Sequence, residues 1–153
     1  MIEIYTDGSS RGNPGAGGYG VVLISRKHKI RKELSAGYRN TTNNRMELLA
    51  VIVGLEALKI IPSEVLIYSD SQYVVNAVEK NWLLGWEKVD FKNKKNADLW
   101  KRFLKVYRLH HVRFQWVKGH AGNPENERCD VLATTAADGI TLLVDEGYER
   151  ENE

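Results

Sequence analysis

The chain opens on an alternation of period two. Ile2-Glu3-Ile4-Tyr5-Thr6 is β-branched or aromatic at most positions, which predicts a strand, and Asp7-Gly8-Ser9 is expected to break it. The turn formers Gly12-Asn13-Pro14-Gly15 and Gly17-Gly18 follow. Two β-rich runs, 19–25 and 30–37, flank the basic turn Arg26-Lys27-His28-Lys29, the pattern of an antiparallel hairpin. The period then becomes helical from Arg45 to Ile61, with Thr41-Thr42-Asn43-Asn44 as a polar cap and Pro62 as the stop. Residues 64–69 are apolar on both faces, as in a central parallel strand covered on both sides, and Ser71 to Val75 opens another helix. A lysine-rich, strandless segment from Lys88 to Lys95 precedes a helix over 96–109, and residues 112–117 form the last strand. Asn123-Pro124 begins the last helix in the favoured cap order, with Cys129, Leu132, Ala133 and Ala136 as its core stripe.

This order predicts an α/β domain with a mixed five-stranded sheet and helices on both faces, its first, fourth and fifth strands parallel. At 153 residues one domain suffices: residues 1–139 as the folded body and 140–153 as an acidic, loosely ordered tail. The lone Cys129 excludes an internal disulfide and suits a reducing compartment. With no membrane-length apolar run or targeting leader, a cytoplasmic protein is expected.

Composition changes the picture in one respect. The net charge is only +2, but residues 145–153 carry five acids and one base, a net of −4, which leaves +6 on residues 1–144. Between Lys88 and Arg108 eight bases face two acids, a surface suited to phosphates or simply to water.

Four acids carry the candidate chemistry, and each alone has a plain structural reading. Asp7 could be a turn residue, Glu47 a first-turn acid favouring the helix dipole, and Asp70 a helix cap. Yet Glu47 projects among Ala50, Val51, Gly54 and Leu58, opposite Arg45, Glu56 and Lys59, and a buried carboxylate needs a partner. Asp70 ends a strand where open α/β sheets place their sites, and Asp130 lies at the edge of the last helix's apolar stripe. His120 sits in the glycine loop Lys118-Gly119-His120-Ala121-Gly122. Clustered acids must either protonate or bind cations, and an all-oxygen set favours magnesium or manganese. Two such ions support in-line phosphodiester cleavage.

The segments Tyr5-Thr6-Asp7-Gly8-Ser9, Asn43-Asn44-Arg45-Met46-Glu47-Leu48, Tyr68-Ser69-Asp70-Ser71-Gln72-Tyr73, Val117 to Gly122 and Asn126 to Asp130 stand in order, and together they resemble type 1 ribonuclease H in its bacterial form, over residues 1–138. The resemblance implies the ribonuclease H fold and hydrolysis of the RNA strand of RNA–DNA hybrids, leaving 3′-hydroxyl and 5′-phosphate ends. It implies Mg2+ as two ions in the substrate complex, with Mn2+ a substitute. It maps the metal-binding acids to Asp7, Glu47, Asp70 and Asp130, with Asp7 bridging, and the mobile histidine to His120. Contacts to RNA 2′-hydroxyls map to Ser10, Asn13, Asn43, Asn44 and Gln72, and also to Glu47. The DNA phosphate pocket maps to Thr42 and Asn96, and the basic handle to Trp82, Trp86 and the lysines up to Lys95. The handle is shorter than in well-known bacterial members and lacks a further tryptophan, and Ser10 stands where many relatives have cysteine. No separate hybrid-binding module is expected ahead of the domain, and a monomer is sufficient. A DNA-cutting nuclease of the same fold would need a DNA-specific surface or an extra domain, and a silent hybrid-binding module would be marked by loss of an acid.

Overall fold

The computed structural model describes residues 1–119 and 122–152. Among the described residues five strands form one sheet in the order β3-β2-β1-β4-β5. They are β1 (Ile2–Arg11), β2 (Gly15–Ser25), β3 (Ile30–Thr41), β4 (Glu64–Ser69) and β5 (His111–Trp116). The hairpins β1–β2–β3 are antiparallel, while β1, β4 and β5 run parallel, as the sequence predicts.

The helices are α1 (Asn43–Glu56), α2 (Gln72–Glu79), α3 (Trp82–Lys88), α4 (Ala97–Tyr107), α5 (Pro124–Ala137) and α6 (Glu146–Glu151). They cover both faces of the sheet. Alternation along β1 and β2 sends Ile4 and Val21 into the larger core with α1 and α4, and Tyr5 and Val22 toward Cys129 of α5. Among the described residues no helix is long and apolar enough to cross a membrane.

Four expectations are corrected. Asp7-Gly8-Ser9 does not break the first strand, because β1 continues to Arg11 paired only with β2. The long helix stops at Glu56 rather than Ile61, since the chain has only residues 57–63 in which to reverse before β4, and Ile60 and Ile61 remain exposed. The outer side chains of β4, Leu66 and Tyr68, are only half-buried, so that strand is fully covered on one face alone.

The fourth concerns Arg45 and the C-terminal segment. Arg45, projected onto the polar side of its helix, is 1% exposed and held by Asp98 and Asp145 at 2.8 Å each. The acidic segment is therefore not loose over its described residues. Leu143 bridges to the edge of β3, donating to the Gly37 carbonyl at 2.8 Å, and Asp145 is buried against Arg45. A guanidinium buried at this depth needs two carboxylates and a neutral acceptor around it, which no residue near it in sequence supplies.

Candidate active site

The site begins where β1 and β4 part. Their parallel pairing ends at Tyr5 and Tyr68, after which β1 runs on with Asp7 opposite Gly20 of β2. On the other side of the gap β4 ends at Ser69, and Asp70 follows. Capping does not require Asp70: Ser71 is the N-cap of α2, its hydroxyl accepting from the Val74 amide at 3.2 Å.

Glu47 arrives from the other direction. Gly8 permits it, because a Cβ there would collide with the backbone of Met46 and Glu47, so only glycine lets the first turn of α1 rest on β1. The Gly8 amide then donates to two acids at once, to Asp7 Oδ1 at 2.9 Å and to Glu47 Oε1 at 3.2 Å. Ligand oxygens of Asp7, Glu47 and Asp70 all lie within 4.8 Å of one another. At that separation each ionised pair costs about 3.5 kcal/mol at an effective dielectric of 20.

The electrostatics follow. Burial, then the charges of Asp70 and Asp130, push Asp7 up to about 7 against the pull of its hydrogen bonds. Glu47 stands well above the ordinary carboxylate range, from burial first and then from Asp7 and Asp70. Its second oxygen, Oε2, is buried with no hydrogen-bond partner among the described residues. An orphaned oxygen on a carboxylate that converges with two further acids fits a hard divalent cation, which takes oxygen ligands and removes the repulsion.

Asp130 does not join all three within that distance, but it is close enough to raise Asp7. Directly opposed residues of an antiparallel pair share a face, so Asp7 emerges on the side where α5 packs. A Cβ on Gly20 would strike the Cys129 carbonyl there. The loop after β5 also comes close: a Cβ on Gly119 would lie 3.0 Å from Asp70 Oδ2, and the Trp116 indole donates to the Asp70 carbonyl at 3.3 Å. His120, assigned beside these acids by the resemblance, lies outside the described residues.

The RNase H family model matches residues 1–138. This chain belongs to the ribonuclease H family. It is 59% identical over 149 residues to the ribonuclease H of Desulforamulus reducens, spanning 94% of this chain and 92% of that one. With the ribonuclease H of Lachnoclostridium phytofermentans it shares 56% over 157 residues, 97% and 99% of the two chains. Of solved structures it is similar to LC9-RNase H1, a type 1 RNase H with the type 2 active-site motif, at 33% identity and a TM-score of 0.77 over 98% of this chain and 79% of that one. It is also similar to LC11-RNase H1 in complex with RNA/DNA hybrid, at 30% identity and a TM-score of 0.67 over 90% and 97%.

In this ribonuclease H the remaining assigned residues fall into two groups. Asn43 binds the strand end to the helix start: its Oδ1 accepts from the Ser10 amide at 2.9 Å and hydroxyl at 3.3 Å, and its amide donates to Asn13 Oδ1 at 3.1 Å. Thr42 caps α1, and Asn44 and Gln72 are exposed beside it and at the start of α2. The second group is the handle. Trp82 is exposed under the Lys80 ammonium, whereas Trp86 packs edge-on against Trp100 and carries Lys94 at 4.7 Å. Asn96 is buried, donating to the Tyr73 hydroxyl at 3.0 Å and accepting from Arg45 at 3.3 Å. Sequence reasoning overlooked the Gly8 amide as a shared donor and Gly119 as a close approach, although both glycines sit inside the quoted motifs.

Proposed function

We propose that this ribonuclease H hydrolyses the RNA strand of RNA–DNA hybrids internally, leaving 3′-hydroxyl and 5′-phosphate ends. The observation that carries this reading is the convergence of Asp7 and Asp70 with Glu47, whose buried Oε2 has no hydrogen-bond partner among the described residues. Asp7, Glu47 and Asp70 would hold one Mg2+ and Asp7 with Asp130 a second, with Mn2+ able to replace them. Bound there, the ions supply an activated water and a stabilised leaving oxygen for in-line displacement.

The chain's own residues do the rest. Asp7, raised by burial and by the charges of Asp70 and Asp130, and Glu47, raised by burial and by those of Asp7 and Asp70, give up protons more readily once positive charge arrives. Ser10, Asn13, Asn43, Asn44 and Gln72 offer amide and hydroxyl groups suited to the 2′-hydroxyls that separate RNA from DNA. Thr42 and Asn96 receive a DNA-strand phosphate, and Trp82, Trp86 and the lysines to Lys95 track that strand. His120 assists proton transfer or product release. The similarity to LC11-RNase H1, solved with an RNA/DNA hybrid, supports this substrate. The enzyme acts as a monomer in the cytoplasm.

The test offers labelled RNA–DNA hybrid, duplex DNA and duplex RNA with magnesium, and the hybrid again with EDTA. Hybrid cleavage that EDTA abolishes is expected, and preferential cutting of duplex DNA overturns the reading. Asp7→Asn is expected to lose cleavage and retain hybrid binding.

A further inference from the structure

Beside the start of α1 lies a polar groove of about 290 Å³ lined by Thr42, Asn44 and Lys95 from the body and by Tyr148, Glu151 and Asn152 from the C-terminal segment. That segment is held firmly in place. Asp145 accepts from the Thr41 hydroxyl at 2.7 Å and from Arg45 at 2.8 and 2.9 Å, and it caps α6. Arg39 clasps Glu149 through two bonds of 2.7 and 2.9 Å. The family match ends at residue 138, so part of the groove is supplied by a stretch outside it.

The charges in and beside the groove are unequally compensated. Glu149 is neutralised by Arg39, whereas among the described residues neither Glu151 nor Lys95 forms an ion pair. A phosphate drawn in by Lys95 meets an uncompensated carboxylate in the same groove. We infer that Glu151 is an electrostatic gate on the DNA-strand groove, lowering affinity for the nucleic-acid backbone that Thr42 and Lys95 attract. The inference rests on the hybrid substrate proposed above. Because the gate is exposed, its effect is a factor of about two to five and is screened by salt.

The test measures binding of a fluorescent RNA–DNA hybrid to the full chain in EDTA across a salt series, for wild type, Glu151→Gln, Glu151→Lys and Glu64→Lys. Glu64 is exposed at the start of β4, the end of that strand away from the acids, and controls for net charge. Glu151→Gln is expected to bind about twofold tighter at low salt. Glu151→Lys is expected to gain more and to steepen the salt slope by about one, which Glu64→Lys does not. If Glu151→Lys and Glu64→Lys match in affinity and slope while wild type binds the hybrid, the gate is overturned and the substrate assignment stands. Failure of wild type and every variant to bind the hybrid overturns both.

Discussion

The Gly8 amide stabilises two carboxylates that repel each other, and one donor cannot settle three charges. Asp7 keeps its proton to about pH 7 in the folded chain but loses it near 3.8 when unfolded. Between those values the folded form holds more protons, so stability falls as pH rises through that window. The cost at pH 8 without metal is about 2 to 4 kcal/mol. Asp7→Asn is therefore expected to unfold at higher urea than wild type at pH 8 in EDTA, with the gap closing toward pH 4. Magnesium at ten times its dissociation constant should return ~1.4 kcal/mol to wild type and much less to this variant, read from melting temperatures. At this scale Glu47 was legible, because a carboxylate on an apolar helix face demands an explanation. Arg45 was not. A helical projection sends a lone arginine to solvent, and its partners lie 53 and 100 residues away.

Elements were legible wherever the apolar period is strong and blurred where neighbours decide. The start of β4 and its end before Asp70 follow from a bounded apolar run, and Asn123-Pro124 opens α5 as their chemistry predicts. The end of α1 depends instead on where the chain must reverse to begin β4, which no local pattern encodes. The C-terminal acids likewise read as a solvated tail until Arg45 is placed beneath them. Asp145→Ala leaves that guanidinium with Asp98 as its remaining carboxylate and is expected to cost about 3 kcal/mol in urea unfolding. Asp145→Asn, which keeps the hydrogen-bond acceptor, is expected to cost less.

Over the whole molecule, charge is sorted along the chain and then folded back on itself. The basic turn that follows α3 is anchored to the core by buried Leu83 and Phe91, while Lys92, Lys94 and Lys95 remain exposed. Replacing these three by glutamine is expected to weaken hybrid binding and to flatten the slope of log affinity on log salt by roughly one to three. An unchanged slope would make them solvated surface and nothing more.

The close seat of α5 on Gly18, Gly20 and Gly37 has a consequence for stoichiometry. Two of the proposed liganding groups, Asp7 and Asp130, sit on separate layers, and the only spacer between those layers at Gly20 is a hydrogen atom. A methyl group there pries the layers apart while Asp7, Glu47 and Asp70 stay together, so Gly20→Ala is expected to fold and to take up one ion in place of the two proposed for its parent. Calorimetric titration with the uncut hybrid present would count them.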